Sequence, residues 1–199
     1  MNVRRTPRHD TDYWYAIAIL QSQLPRLRSG LPWAYFITFA CYGNRLHGDS
    51  RGSVDRLHNG YRSRLLDASL PRQAYEARLM SDEPRTLDET ARGIVLDAIR
   101  QVCRHKNWRA YAIHVRVTHV HAVVQAGAAP ARFLGVFKAY SSRALNERLG
   151  YCAKRWSRHG SVRWLWSPTE VDAAIDYVLQ RQGEPMAVHE HANRWSDLL

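Results

Sequence analysis

The stretch WRAYAIHVRVTHVHAVV, residues 108–124, decides how this chain is read. It is too long and too rich in β-branched residues for one strand, and it contains no Gly or Pro. Alternation in its first half sets Tyr111, Ile113, Val115 and Val117 on one face and Ala112, His114 and Arg116 on the other. The second half, VTHVHAVV, alternates again, with His119 and His121 sharing a face. Two residue rises separate them, about 6.6 Å along the strand, so both imidazoles can lean toward one small ion. The first strand feeds almost directly into the second, which carries the histidine pair. Alone, H-x-H on a strand also describes two packed histidines and does not name a metal.

Working outward, WAYFITFACYG at 33–43 is aromatic and β-branched, stops at Gly43 and predicts a central strand. TLDE at 86–89 reads as a capping box with Thr86 as N-cap, and Ala91, Ile94, Val95, Ala98, Ile99 and Val102 repeat at helical spacing to about His105. A second helix is expected over 131–149. Its inner stripe is Phe133, Val136, Phe137, Tyr140, Ala144 and Leu145, with Lys138, Arg143 and Arg148 off that stripe toward solvent or phosphate. SVRWLW, 161–166, predicts the last strand. SPTE at 167–170 caps a final helix over about 168–182, with Pro168 in its first turn and Gly183 and Pro185 at its end. The order is βαββαβ plus one helix. It predicts an α+β, ferredoxin-like or RRM-like antiparallel sheet with helices packed on one face and an additional C-terminal helix.

Residues 1–32 read as an N-terminal extension, 33–186 as one domain with a polar insertion at 44–85, and 187–199 as a polar tail. The tail holds a second H-x-H pair, HEH at 189–191, expected to be solvated. Lys and Arg number 29 against 18 Asp and Glu, a formal charge of +11, which favours a polyanionic partner such as nucleic acid. Seven Trp and ten Tyr add surfaces on which bases can stack. Cys41, Cys103 and Cys152 form no CxxC pair, so neither a disulfide framework nor a zinc knuckle is indicated, and a reducing cytosol is expected. The run YWYAIAIL at 13–20 is too short to span a membrane, and Asp10 and Asp12 argue against a signal peptide; the expectation is a soluble, cytoplasmic protein.

On the final helix, Val171, Ala174, Ile175 and Val178 form the apolar face. Tyr177 falls about 110° from its centre, at the boundary with solvent. Gln180 and Arg181 follow one turn later on the same side; an amide oxygen there could complete a metal site and a guanidinium could hold a phosphate.

HVHAVV, FKAYSSRALN and RWLWSPTEVDAAIDYVLQRQGEPM, with AYFITFACYGNRLHGDSRGSVDR before them, resemble the single-tyrosine HUH transposases, in the branch of REP-associated tyrosine transposases and small insertion-sequence transposases. The resemblance spans about residues 33–186. It implies that His119 and His121 ligate a divalent ion, Mg²⁺ or Mn²⁺, and that Tyr177 is the nucleophile. Relatives commonly place a polar metal ligand one turn after that tyrosine. Arg181 stands at the fourth position here, so Gln180 is the preferred third ligand and Gln182 the reserve. Relatives also often carry Asn just before the HVH stretch, where this chain has Thr118. The implied substrate is single-stranded, hairpin-bearing DNA, cleaved and rejoined through a 5′-phosphotyrosine by a monomer or homodimer. Lys138, Arg143 and Arg181 are the candidate nucleic-acid contacts. A sheet of this type that binds hairpin DNA or RNA without cutting it is the non-enzymatic alternative. A two-histidine RNA phosphoesterase would want two separated H-x-T/S motifs, which are not evident. Tyr140 and Tyr151 are rival nucleophiles, the first on an apolar stripe and the second in a loop.

Overall fold

The computed structural model describes residues 30–44, 46–50, 66–127 and 130–192. The N-terminal extension therefore lies outside the described residues up to Gly30, as does much of the polar insertion. Among the described residues, strands β1 (Ala34–Ala40), β2 (Arg109–Val115), β3 (His119–Gln125), β4 (Ser161–Leu165) and β5 (Ala187–Glu190) form one antiparallel sheet in the order β4-β1-β3-β2-β5. The first four strands have the order of a split βαβ pair, because each helical crossover returns with one strand left between.

The helices among the described residues are α1 (Leu70–Arg78), α2 (Glu89–His105), α3 (Pro130–Leu149) and α4 (Pro168–Gln180). Alternation divides the core into two layers. Tyr35, Ile37 and Phe39 of β1 join Ile113, Val115, Val120, Ala122 and Val124 beneath α2 and α3. On the opposite face Ala34, Ala112 and Val123 pack against Val171, Ala174, Ile175 and Val178 of α4. Helices α2 and α3 thus share one face, and the additional C-terminal helix covers the other. Ser167 caps α4, its Oγ accepting from Glu170 N at 3.2 Å, while Glu170 reaches back to accept from Trp166 N at 2.6 Å. The first bond satisfies a donor that the first turn of a helix leaves unmet, and the second ties the residue before the cap to that turn.

Four expectations are corrected. The cap of α2 is Asp88, whose Oδ1 accepts from Ala91 N at 2.7 Å, rather than Thr86. Asp88 sits two residues closer to the first turn, and a carboxylate also complements the positive end of the helix. Tyr111 leaves the face assigned to it, because the β2–β3 register shifts between Ala110 and Ala112; the ring joins the α4 side and its hydroxyl donates to Gln125 Oε1 at 3.0 Å. A single inserted residue reverses a side chain in this way. The polar insertion contains helix α1, capped by Ser69 with Pro in its first turn. None of its residues is buried, so no apolar stripe announced it. Finally, residues 187–190 are not a solvated tail but the edge strand β5, paired with Ala112–Val115 of β2.

Candidate active site

The antiparallel register aligns one row of side chains across the sheet on its α4 face: Ser161, Thr38, His121, His114 and Val188. His119 follows His121 on the same face, opposite Ala40. The two imidazoles stand edge to face with ring centroids 4.7 Å apart. His121 is buried, stacked on Phe36 at 5.5 Å, and its Nδ1 is 2.8 Å from Thr38 Oγ1. Thr118 supplies a neighbouring hydrogen bond: its Oγ1 is 3.1 Å from His119 Nδ1. With the proton on Nδ1 each threonine oxygen accepts, and each Nε2 then carries the lone pair that a metal takes.

Tyr177 enters this group from α4. Its ring is edge-on to His121 at 5.9 Å and to Phe36 at 5.7 Å, and the residue is 42% exposed. The boundary position on the amphipathic helix produces this mixture of contact and access. Arg181 is the C-cap rather than a helical residue, its N–H donating to the Tyr177 carbonyl at 3.2 Å, and both Gln180 and Arg181 are exposed at that end. Gln182 bends back, its amide nitrogen 3.5 Å from the same carbonyl.

Two imidazoles at this separation, each oriented through Nδ1, suit a divalent ion that leaves further positions for an amide oxygen and a substrate oxygen. Among the described residues no group of three or more His, Cys, Asp and Glu is placed to hold a metal, so a third ligand from those residues would be an amide or a hydroxyl.

Sequence reasoning missed three residues on this face. Thr38 had no signal beyond its alternation with Ile37 and Phe39. Arg163 lies beside Phe36 in the register, and the alternation in SVRWLW could have placed it there. His114 is fully buried, its Nδ1–H donating to the Val178 carbonyl at 3.0 Å and its Nε2 accepting from Met186 N at 3.3 Å. It fastens the residue after Tyr177 to the sheet and is fixed as a neutral imidazole.

Burial, assisted by the charge of Arg116, holds His114 below the ordinary histidine value of 6.5 despite the opposing effect of the Val178 bond. His189 is lowered too, first by burial and then by the charge of Arg100. The unfolded chain therefore binds protons that the folded chain refuses as pH falls below about 6.5. Stability is full above that value and is lost below it. The melting temperature is expected to fall steadily between about pH 7 and pH 5, and a flat profile there would contradict the neutral assignment.

Lys138 is not the solvent-facing contact expected of it. Its ammonium donates to the carbonyls of Ser157, Arg158 and His159 at 2.7, 3.3 and 3.0 Å, tying the loop before β4 to α3, and burial lowers its pKa. Lys138→Met should cost about 1–3 kcal/mol, seen as a lower urea midpoint, and leave DNA affinity within about twofold. Arg143 is exposed on α3 with its guanidinium 5.3 Å from the Tyr140 ring. Tyr140 is half-buried against the α2–α3 core, and Tyr151 is exposed beneath the Arg155 guanidinium at 4.9 Å.

Residues 80–168 match the sequence family described as Transposase IS200 like. Over that segment the chain is similar to the IS200-like transposases. The matched segment holds both histidines of the HVH strand and ends at Pro168, where the helix carrying Tyr177 begins. A solved structure of a REP-associated tyrosine transposase bound to a REP hairpin is similar at 12% identity, with 76% of this chain and 67% of that chain covered and a TM-score of 0.42. A search of curated proteins finds no match. Among the described residues no helix is long and apolar enough to cross a membrane.

Proposed function

We propose that this chain is a metal-dependent transposase that cuts and rejoins single-stranded, hairpin-bearing DNA through a covalent bond to Tyr177. The observation that carries the reading is the approach of Tyr177 to the His119–His121 pair of its own chain, 5.9 Å between the Tyr177 and His121 rings on the α4 face of the sheet.

Tyr177 Oη attacks the scissile phosphorus as its proton is lost, the P–O3′ bond breaks, and the departing 3′ oxygen gains a proton. The product is a 5′-phosphotyrosine with a free 3′-hydroxyl. Reversal by another 3′-hydroxyl restores the phosphodiester and the phenol, so rejoining needs no ATP. His119 and His121 would hold Mg²⁺ or Mn²⁺, with Gln180 as preferred third ligand and Gln182 in reserve; that ion supplies Lewis-acid polarisation of the phosphoryl group. Phe36 and His114 orient the tyrosine helix, and Arg163 and Arg181 offer guanidinium groups for flanking phosphates.

The test incubates the protein with labelled hairpin-bearing single strands and Mg²⁺ or Mn²⁺, then separates the products under denaturing conditions. A metal-dependent, denaturation-resistant adduct is expected. Binding without any adduct across a broad library of hairpins would replace this reading with a non-catalytic one.

A further inference from the structure

The HEH pair that the sequence left in a polar tail lies in a second basic site. His189 stands opposite Ile113 in the register, on the α2 side of the sheet, away from Tyr177. His189 and His191 line a cleft of about 510 Å³ together with Arg100 and Arg104 of α2, Arg109 at the start of β2, and Trp108. Three arginines line it and no carboxylate does, although Arg100 Nη1 donates to Asp97 Oδ1 at 3.3 Å just outside the lining. The C-terminal end of α2 opposes an anion with only about half a charge. Arg104 and Arg109 outweigh it even with Arg100 paired to Asp97, so the cleft favours anions. Among the described residues no group of three or more His, Cys, Asp and Glu that could hold a metal is formed here.

We infer that this α2–β2–β5 cleft is a second DNA contact that takes the phosphodiester backbone flanking the cleavage point, an inference that rests on the proposed function above. Guanidinium forks match phosphate oxygens two at a time. Strand β5 lies two strand spacings from β3, about 10 Å. A DNA strand crossing the β5 edge therefore passes between cleft and tyrosine within a few nucleotides. The net charge of +11 agrees with an extended polyanion rather than a single small ligand.

Arg104 and Arg109 are exposed, so Arg104→Gln with Arg109→Gln removes charge without opening the core. Arg148→Gln with Arg158→Gln, also exposed, is the charge-matched control outside the cleft. Binding of a fluorescent hairpin with single-stranded flanks is followed by anisotropy over a salt series in EDTA, where no cutting enters. The cleft variant should bind about tenfold more weakly, with the salt slope reduced by about 1.5 to 2 and the control within about twofold of the parent. Equal losses in both variants, no loss in either, or no DNA binding by the parent would overturn the inference. So would loss of thermal stabilisation by inorganic phosphate with DNA affinity intact, which would mark a small-anion site. Because the readout is affinity, a failure of the tyrosine chemistry appears separately, as an absent adduct.

Discussion

Tyr177→Phe should abolish the covalent DNA adduct and reduce strand cleavage by about 10³-fold or more, with DNA affinity and fold unchanged. The reason is that the substitution removes one oxygen and nothing else. The phenyl ring keeps the edge contacts to Phe36 and His121. The residue is 42% exposed, so its loss of a hydroxyl should alter stability by no more than about 0.5 kcal/mol. Removing a nucleophile takes away the intermediate itself, which is why the expected effect on rate is so much larger. Cleavage retained at one tenth of the parental rate would point to another nucleophile, with Tyr140 and Tyr151 the first to examine.

His121→Ala is expected to produce the second large loss, at least about 10²-fold in cleavage, because it removes one of two imidazoles proposed to hold the metal. It also removes the stack on Phe36 and the bond to Thr38, so about 1–3 kcal/mol of stability should go with it. Thr38→Val separates the two effects. It keeps the shape of the side chain and deletes only the oxygen that faces Nδ1. Loss of such an orienting partner typically weakens metal binding 10- to 100-fold, so the Mn²⁺ concentration giving half-maximal cleavage should rise by about that factor while the saturated rate recovers. An unchanged metal requirement in Thr38→Val would mean that the histidines serve packing only.

Much of this arrangement was legible because it depends on short-range periodicity. Alternation alone put His119 and His121 on one face, and a rotation of about 100° per residue put Tyr177 at the boundary of α4, where it is observed. What periodicity cannot see is how separate strands align. His114, Thr38 and Arg163 meet the site through register across β2, β3, β1 and β4, which no local pattern encodes. Tyr111 was misplaced because a bulge is one residue long and leaves no mark in composition. Strand β5 was missed because four residues, AVHE, show too little alternation, and β5 is held chiefly by the ladder with β2. Lys138 was read from its position off the apolar stripe of α3, yet a four-carbon stem lets its ammonium reach three carbonyls of a loop from another part of the chain.

The most direct test of the account is to trap the adduct on single-stranded hairpin DNA labelled separately on each side of the cut, digest it, and identify the modified peptide by mass spectrometry. The account predicts that the DNA is joined through its 5′ phosphate to the peptide containing Tyr177, and that the other fragment ends in a free 3′-hydroxyl. A modified residue other than Tyr177, or attachment through a 3′ phosphate, would contradict it.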